Sequence, residues 1–441
     1  MSLEYDILSE IKPNAEECAE IVADAEELQH ITERYLKEND IDAKVMFAGS
    51  IGKGTYLKDP DIDMFVMFPE DMDRKEMERL GIQVGMAILN GRKAFAEHPY
   101  ISGMFKGMEV DMVPCFAVSS ADKLKSSVDR TPFHARFILE NSDPAMRDEM
   151  RLMKKFMKGI GVYGAEPNIR GFSGYLCEIL TLYYGGFRNA LEAVSKWRPG
   201  MRLGFDKGTD DFKGAAMIFY DPVDIHRNVA SAVHLDTFAR FVTAAKRYLE
   251  CPDRRFFFPN KRIPFDNSTI RKRFLERGTS LFSVVYDRPD VLDDILHAQM
   301  WKTEYAIAKK ITHCGFEIIR SAHSVEENRV CFIFELASDE LSETCVHTGP
   351  FAWVENAGNF LESWKDNPYG APFISDGMWK VVRKRPYRKA EEVIVKECDQ
   401  LGAGKDLRSS TMKVYGNDDT LDRMDASILT EILDPRYPWE N

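Results

Sequence analysis

The sequence predicts a multidomain protein of the α+β class. Its 441 residues exceed what a single hydrophobic core usually organises, and this length favours about three domains. Short apolar runs of the kind that form strands alternate with longer stretches whose apolar residues repeat at helical spacing. Apolar residues (44%) and charged residues (29%) occur in the proportions of a folded, soluble chain.

The N-terminal region is predicted to form a mixed sheet with flanking helices. Asn14 followed by Glu17 is a capping box, which predicts a helix to about residue 38. The run "KVMFA" predicts a strand that ends at Gly49-Ser50, where a short helix should begin. A second strand is expected over residues 62–68.

A further helix is predicted from Asp73, because Glu76 follows three residues later in the pattern of a helix start. Apolar residues at helical spacing would pack this helix on the sheet, and they are Met77, Leu80, Val84 and Ile88. Short strands are expected around "KAFAE", "YISGMFKG" and "MEVDMVPCF".

From Thr131 the pattern predicts a mainly helical region. Thr131-Pro132 opens a helix, because proline is favoured in a first turn. Further helices are expected at 147–160, 173–184 and 234–250, with one strand at "MIFYD". Beyond these, "TSLFSVVYD", a helix near 291–313, "FEIIRSA" and "NRVCFIFEL" predict a small α+β unit. The last hundred residues predict another module of helices and strands.

The composition excludes several classes of protein. The uncharged apolar stretches are far shorter than the roughly 20 residues that cross a bilayer, so no membrane partner is expected. The first residues include Glu4, Asp6 and Glu10, where a secretion signal carries basic residues. The eight cysteines are scattered without any pair spaced two residues apart, which argues against a zinc ribbon or a redox pair. A cytoplasmic protein with reduced thiols is therefore predicted.

Two segments are basic although the net charge is −12. Residues 251–273 hold seven basic residues against two acidic ones, and four phenylalanines are interleaved with them: Phe256, Phe257, Phe258 and Phe265. Residues 379–389, "WKVVRKRPYRK", hold six basic residues and no acid. Positive charge beside aromatic rings suits a phosphate backbone and unstacked bases, and a solvated face is the alternative interpretation.

The segment "AGSIGKGTYLKDPDIDMFVMF" places two aspartates one residue apart at the start of an apolar strand. Residues i and i+2 of a strand point to the same side, so Asp61 and Asp63 should project together. Such like charges are unfavourable unless a cation lies between them, and magnesium prefers one or two carboxylates plus substrate phosphates. A turn with exposed acids is the alternative interpretation.

Two known motifs fail in this segment. "GSIGKGT" lacks the spacing of a nucleotide-binding P-loop. The acids at 59, 61 and 63 lack the glycine and terminal glutamate of a calcium loop.

Neighbouring residues add features of a phosphate site. Gly49-Ser50 at a helix start presents backbone amides that favour phosphate oxygens, and Lys53 follows within one turn. Asp111 lies within the apolar strand "MEVDMVPCF", where an acid is unusual unless it is an edge residue paired with a lysine. Together these residues predict a triphosphate site with three carboxylates for two metal ions, the arrangement for in-line displacement at phosphorus.

With these residues the sequence resembles the nucleotidyltransferase superfamily, whose signature is Gly-Ser, a spacer, Asp/Glu-x-Asp and a third aspartate on a later strand. It is similar in particular to the archaeal-type (class I) CCA-adding tRNA nucleotidyltransferases. The segments "AEHPYISG", "EVDMVPC", "SVDRTPFH", "YGAEPNIRGFSGYLCE" and "DPVDIHRNVA" resemble family blocks in family order. The similarity covers most of the chain and is strongest from 45 to 250.

The resemblance implies a template-independent polymerase that adds C, C and A to the 3′ end of tRNA from CTP and ATP, with two Mg²⁺ ions. It also implies four parts. A nucleotidyltransferase head (1–130) and a helical neck (131–255) would form the nucleotide pocket. An α+β body (256–340) and a tail module (341–441) would contact the acceptor arm of tRNA. A homodimer is suggested by the family alone.

The resemblance also implies site residues. Asp61, Asp63 and Asp111 are the expected catalytic residues and metal ligands, while Ser50 and Lys53 would hold the triphosphate. The other residues expected to bind the nucleotide are Thr131, His134, Lys154, Tyr163 and Arg227. Of these, Thr131 would lie near the ribose and Arg227 at the base edge. The residues expected to contact tRNA are Glu97, His98, Arg271, Lys272 and Arg273.

Several of these residues have structural alternatives. Thr131 could cap a helix, His134 and Tyr163 could be core residues, and Lys154 lies on a helix whose lysines normally face solvent. Ser173 in "RGFSGYLCE" lacks the spacing of a serine nucleophile and is expected to cap a helix. Two other functions stay open from the residues alone. One is a poly(A) polymerase or another terminal transferase, and the other is a non-catalytic RNA-binding protein on the same scaffold.

Overall fold

The N-terminal part of the chain is built on a five-stranded mixed sheet. In the computed structural model, which describes residues 2–95, 98–397 and 400–441, its strands are β1 (Lys44–Phe47), β2 (Ile62–Phe68), β3 (Arg92–Phe95), β4 (Pro99–Phe105) and β5 (Met108–Phe116). The strand order is β1-β2-β5-β4-β3. β2 and β5 run parallel, and the other neighbours run antiparallel.

Helices cover one face of this sheet. The helices of this region are α1 (Leu3–Ile11), α2 (Ala15–Glu38), α3 (Gly49–Lys53) and α4 (Arg74–Leu89). The capping box at the start of α2 is present, with the Asn14 side chain accepting from Glu17 N at 2.9 Å. Alternate residues of β2 are buried in one cluster with residues of α2 and α4: Ile62, Met64, Val66, Phe68, Leu28, Leu36, Met77 and Val84. The intervening residues of β2 therefore face the other side of the sheet.

A second layer of the same region is mainly helical. Its helices are α5 (Thr131–Asn141), α6 (Pro144–Gly159), α7 (Gly174–Tyr184), α8 (Phe187–Val194) and α9 (Leu235–Glu250), and its strands are β6 (Met201–Leu203) and β7 (Met217–Phe219), which pair in parallel. Its core is largely aromatic and centres on Phe156, Phe172, Phe241 and Tyr248. Ser173 caps α7 by accepting from Leu176 N at 3.2 Å, as predicted.

Phe256 and Phe257 belong to this aromatic core. Phe256 stacks on Phe156 with ring centroids 5.8 Å apart, and Phe257 is fully buried. The prediction that these rings are available to unstacked bases is therefore wrong, because the rings pack inside the protein. Phe258 lies at the edge of the same core.

The segment between β5 and α5 is fixed by a buried acid. The Asp129 carboxylate accepts hydrogen bonds from the backbone nitrogens of Phe116 (2.9 Å), Lys125 (3.1 Å) and Ser126 (2.7 Å). We expect Asp129→Ala to lower the free energy of unfolding by about 2–3 kcal/mol, because it leaves buried donors without an acceptor. Urea denaturation measures this loss, with the exposed Asp122→Ala as control. Equal midpoints for the two variants would contradict the assignment.

The chain divides into two compact units. One runs to Lys261 and includes Tyr437–Asn441, and the other spans Arg262–Arg436. The second unit contains a four-stranded antiparallel sheet of order β14-β8-β10-β9, formed by β8 (Ser280–Asp287), β9 (Ile318–Val325), β10 (Arg329–Leu336) and β14 (Met412–Tyr415). Around it lie α10 (Asn267–Arg277), α11 (Asp293–His313), α13 (Ala390–Glu397), α14 (Lys405–Ser409), α15 (Asn417–Arg423) and α16 (Ala426–Leu433).

The second unit also holds a three-stranded antiparallel sheet of order β11-β13-β12. Its elements are β11 (Thr344–Phe351), α12 (Ala357–Ser363), β12 (Phe373–Ser375) and β13 (Met378–Lys384). The predicted α+β class is confirmed, whereas the boundaries of the four predicted domains stay a prediction. Among the described residues, no helix is long and apolar enough to span a membrane.

Candidate functional site

Parallel pairing of β2 and β5 brings two of the predicted carboxylates side by side. Asp63 and Asp111 are register partners, and both lie on the sheet face opposite α2 and α4. Asp61 immediately precedes β2 and is exposed. The start of the strand was therefore predicted correctly, but Asp61 lies just outside β2, so the two acids do not share one strand.

The start of α3 lies directly against Asp63. A Cβ atom on Gly49 would be 1.6 Å from Asp63 Oδ2, and Gly49 has a φ of +53°. Only glycine permits this approach without strain. Ser50, the next residue, lines one cleft together with Asp61 and Lys154. The predicted phosphate-binding serine is thus a neighbour of the acids.

The carboxylates form an unfavourable electrostatic arrangement. Burial, together with the charge of Asp111, raises the pKa of Asp63 to about 6, although Lys53 acts in the opposite direction. Burial also raises the pKa of Asp111, and the hydrogen bond with Ser102 lowers it only in part. A cation placed between the two acids would relieve both effects.

The donor atoms at this position suit a magnesium ion. Among the residues that the structure describes, no group of three His, Cys, Asp or Glu side chains is gathered closely enough to hold a metal. The predicted cage of three carboxylates therefore stays a prediction. Magnesium needs only one or two carboxylates when phosphates and water complete its coordination, and the paired oxygens of Asp63 and Asp111 fit that requirement.

Asp63→Asn is expected to stabilise the metal-free protein at neutral pH. The pKa of Asp63 is about 6 in the folded state, above that of an unfolded aspartate, so the folded state binds this proton more tightly. The stability that this proton confers is complete below the unfolded pKa and is lost as the pH rises through the folded pKa. Asparagine does not ionise, and the variant should exceed wild type by about 2–3 kcal/mol above pH 7.

Denaturation in EDTA at pH 4 and pH 7.5 measures this difference. Asp42→Asn, at an exposed position in the same unit, provides the control. An identical pH dependence for wild type and Asp63→Asn would contradict the assigned pKa.

Lys53 is held by a buried acid that sequence analysis missed. Its Nζ lies 2.5 Å from Glu178 Oε2, and Thr55 Oγ1 donates to Glu178 Oε1 at 2.6 Å. All three side chains are buried. Lys53 therefore does not present a free ammonium group in this structure, although its charge acts on Asp63. The signal for Glu178 in the sequence is an acid inside the apolar run "YLCEILTL".

Lys154 lies beside Tyr163, and the two are half-buried. Lys154 Nζ is 5.6 Å from the centroid of the Tyr163 ring. Burial is the main cause that lowers the pKa of Lys154, and the charges of Lys158 and Lys53 add to it. Burial also raises the pKa of Tyr163. The alternative that Lys154 simply faces solvent is therefore wrong.

A second buried acid, Asp221, joins two of the predicted nucleotide-binding residues. Asp221 Oδ2 lies 2.9 Å from His134 Nε2 and accepts from Arg227 Nη1 at 2.8 Å. His134 stacks on Tyr175 with ring centroids 3.8 Å apart. Burial lowers the pKa of His134 despite the neighbouring carboxylate. Asp221 and Tyr175 were missed because His134, which contacts both, is distant from them in sequence, although both lie in the quoted family blocks.

Burial alone would raise the pKa of Asp221, but the hydrogen bonds from His134, Val223 and Arg227 outweigh it and keep the pKa low. Asp221 is therefore a charged acceptor that orients Arg227 and His134 at neutral pH. The charge of Lys53 also acts on His134, so this cluster adjoins the Asp63 region.

Thr131 is the first residue of α5 and does not cap it. The capping position is occupied by Arg130, without a side-chain cap, and proline follows within the first turn. The alternative that Thr131 is explained by capping is therefore wrong.

The predicted tRNA contacts differ in their surroundings. Glu97 lies outside the described residues. His98 is 1% exposed, and its Nδ1 lies 3.1 Å from Glu78 Oε1, so this side chain is not presented at the surface. The prediction that His98 contacts tRNA is not supported in this conformation, because the ring is enclosed by protein.

The basic residues of α10 are exposed but partly engaged. Arg271 pairs with Asp422, and Lys272 lies 3.8 Å from Glu276. The Arg273 guanidinium lies over the Phe265 ring at 4.0 Å. These three side chains therefore stay candidates for RNA contact.

The second basic segment, residues 379–389, begins within β13 and continues past its end. Lys380 pairs with Asp376 at 2.7 Å, and Arg388 pairs with Glu340 at 2.7 Å. Part of the charge of this segment is therefore compensated by local acids.

A mixed sheet that sets paired aspartates beside a Gly-Ser helix start defines the class of nucleotidyltransferases. Three family profiles match the chain: "Nucleotidyltransferase domain" at residues 31–134, "tRNA nucleotidyltransferase, second domain" at 148–258, and "CCA-adding enzyme, C-terminal domain" at 277–416. A solved structure of the Cid1 poly(U) polymerase, 17% identical, covers 57% of this chain and 94% of its own, with a TM-score of 0.46. A likeness at that level adds nothing to the assignment.

Curated relatives match along nearly the whole chain. The CCA-adding enzyme of Methanosarcina mazei is 34% identical over 422 residues, which is 94% of this chain and 92% of the relative. That of Thermoplasma volcanium is 34% identical over 413 residues, or 92% of each chain. That of Archaeoglobus fulgidus is 35% identical over 357 residues, or 80% of each. The chain belongs to the family of CCA-adding enzymes. The predicted family, enzyme class and activity are confirmed, and the two alternative functions are not favoured.

Proposed function

We propose that this chain adds C, C and A to the 3′ end of tRNA, using CTP and ATP, with chemistry at Asp61, Asp63 and Asp111. The observation that supports this site most directly is the register pairing of Asp63 and Asp111, whose pKa values are both raised. Two adjacent carboxylates with raised pKa values are suited to bind a divalent cation, which in turn binds a phosphate.

The acids carry the group transfer in this proposal. Magnesium, two ions in our proposal, would neutralise charge on the transferring phosphate and favour ionisation of the attacking hydroxyl. The 3′ oxygen of the tRNA forms a bond to the α-phosphorus, and the bond from that phosphorus to the bridging oxygen breaks. The electron pair leaves with pyrophosphate, and the hydroxyl proton passes to solvent.

The cleft beside the acids would hold the triphosphate. Ser50 and Lys154 line it, and Tyr163 packs beside Lys154. Lys53 contributes positive charge to the site from a buried position, where Glu178 holds its ammonium group. These residues position the α-phosphate before the reaction.

The Asp221 cluster would select the nucleotide. Arg227, which is held by Asp221, reads the edge of the base. His134, which lies against the same carboxylate, contacts the nucleotide. Thr131, three residues before His134 on α5, contacts the ribose. A guanidinium fixed by a buried carboxylate gives a donor set of defined direction, which is what discrimination between bases requires.

The predicted body (256–340) and tail module (341–441) would bind the acceptor arm of tRNA. Arg271, Lys272 and Arg273 supply phosphate contacts from the exposed face of α10. Glu97 and His98 are proposed to lie near the tRNA end. The protein would act in the cytoplasm as a homodimer.

The decisive experiment uses tRNA that lacks its last three nucleotides. Incubation with labelled CTP, ATP and magnesium should extend the RNA by three nucleotides, and CTP alone should extend it by two. A product that grows only with ATP and continues beyond one addition would identify a poly(A) polymerase and overturn the proposal.

A further inference from the structure

The cleft proposed to hold the triphosphate has a volume of about 340 Å³ and extends beyond the residues assigned to that role. Its lining includes Ser50, Asp61 and Lys154, and also Lys155, Lys158 and Phe258. In the proposed reaction the leaving pyrophosphate consists of the two outer phosphates of the nucleotide. A cleft that continues from Ser50 and Lys154 to further lysines therefore suits this leaving group.

Three lysines of α6 contribute to this cleft. Lys154 and Lys158 are four residues apart and share one face of the helix, and Lys155 is adjacent. Lys155 Nζ lies 4.0 Å from the centroid of the Phe258 ring, and Lys158 Nζ lies 5.3 Å from that of Tyr163. In the part of the chain that the structure describes, neither Lys155 nor Lys158 forms an ion pair.

These positive charges crowd one another. Burial lowers the pKa of Lys155, and the charges of Lys158 and Arg254 lower it further, while Glu10 acts in the opposite direction. The Arg254 guanidinium also lies over the Phe258 ring, 4.3 Å from its centroid, and it pairs with Glu10 at 2.7 Å. Glu10, which also lines the cleft, is engaged by Arg254, and Lys155 and Lys158 form no ion pair among the described residues, so these two lysines are suited to bind an anion.

The cleft also contains acidic residues, and these limit the kind of anion that the lysines can bind. Asp59 and Asp61 come from the segment before β2, and Lys58 of that segment is paired with Glu17 at 3.2 Å. Carboxylates would repel a bare phosphodiester, but they suit an anion that carries its own divalent cation. The lining thus combines ligands for a metal with ligands for phosphate.

We propose that Lys155 and Lys158 bind inorganic pyrophosphate, in its magnesium-bound form, as it leaves the site. This inference rests on the proposed function, since pyrophosphate is the product of that reaction. Lys154 touches the phosphates of the bound nucleotide, and Lys155 and Lys158 continue the same helix surface outward. The two outer lysines set how tightly the product is retained.

The test measures pyrophosphate binding directly on the full chain by isothermal titration calorimetry. Inorganic pyrophosphate and magnesium are titrated into wild type and into the K155M/K158M variant, without tRNA or nucleotide. We expect the dissociation constant to rise about tenfold, the effect of losing charged contacts to phosphate. K196M/K246M is the control of equal charge, because both of its lysines are exposed in the same unit, and its dissociation constant should be unchanged.

Further measurements separate the possible causes. K158M alone changes an exposed side chain, so a weakened affinity there cannot reflect disturbed packing. Inhibition of CMP incorporation by added pyrophosphate should weaken in parallel, and tRNA affinity by filter binding should not change. Unchanged pyrophosphate binding would overturn the inference, and reduced tRNA affinity in its place would assign the lysines to RNA. Failure of wild type to incorporate CMP would instead overturn the proposed function.

Discussion

Asp63→Asn is expected to abolish CMP incorporation while tRNA remains bound. Asp63 faces Asp111 across β2 and β5 and lies against the start of α3, so it is the central acid of the site. Asparagine preserves shape but removes the negative charge that would attract magnesium. We expect the rate to fall at least about a thousandfold, which corresponds to about 4 kcal/mol of transition-state stabilisation. Extension of tRNA lacking its terminal CCA with labelled CTP measures this loss.

Two comparisons make the result specific. Asp61→Ala should show the same loss, because it removes another of the three acids proposed to hold magnesium. Asp42→Asn, at an exposed position before β1, should retain the wild-type rate. Filter binding of tRNA to Asp63→Asn should match wild type, since the variant leaves every residue proposed to contact tRNA unchanged. Normal turnover in Asp63→Asn would refute the site.

Elements with strong local signals were predicted closely. β2 spans Ile62–Phe68, the range expected from its apolar run, and α2 ends at Glu38 after the capping box at Asn14. Capping and periodicity act over a few residues, so one sequence contains the information. α8 was missed because it follows Gly186, has no side-chain cap and spans only Phe187–Val194.

The site was predicted in part for the same reason. Asp61 and Asp63 were recognised from their spacing at the start of an apolar run, and the sequence also singled out Asp111. The register that places Asp111 opposite Asp63 depends on parallel pairing across an intervening helix and two strands, which spacing alone does not determine. The buried acids Glu178 and Asp221 were missed because their partners are 125 and 87 residues away.

Basic segments with aromatic residues were the least reliable signal. Phe256 and Phe257 lie among basic residues, as expected of rings that stack on bases, yet both pack in the aromatic core around Phe156. A phenylalanine contributes the same hydrophobic surface to a core as to an RNA contact. Only the three-dimensional packing distinguishes the two roles.

Glu178→Leu is expected to lower the free energy of unfolding by about 3–5 kcal/mol, because it leaves the buried ammonium group of Lys53 without a counter-charge. Lys53 and Glu178 are 7% and 6% exposed, and Thr55 donates a second hydrogen bond to the same carboxylate. Chemical denaturation measures the loss. Glu178→Gln should lose less, since its amide oxygen can still accept from Thr55. A Glu178→Leu midpoint equal to wild type would show that Lys53 does not depend on this acid.

The K53M/E178L double variant separates the structural role of the pair from its role in binding. Replacing both partners removes the unpaired charge, so much of the stability lost in Glu178→Leu should return. If Lys53 also attracts the triphosphate, the affinity for CTP should stay low in the double variant despite recovered stability. Recovery of both stability and CTP affinity would mean that Lys53 serves the fold alone. The buried pair thus allows the phosphate role of Lys53 to be tested independently of folding.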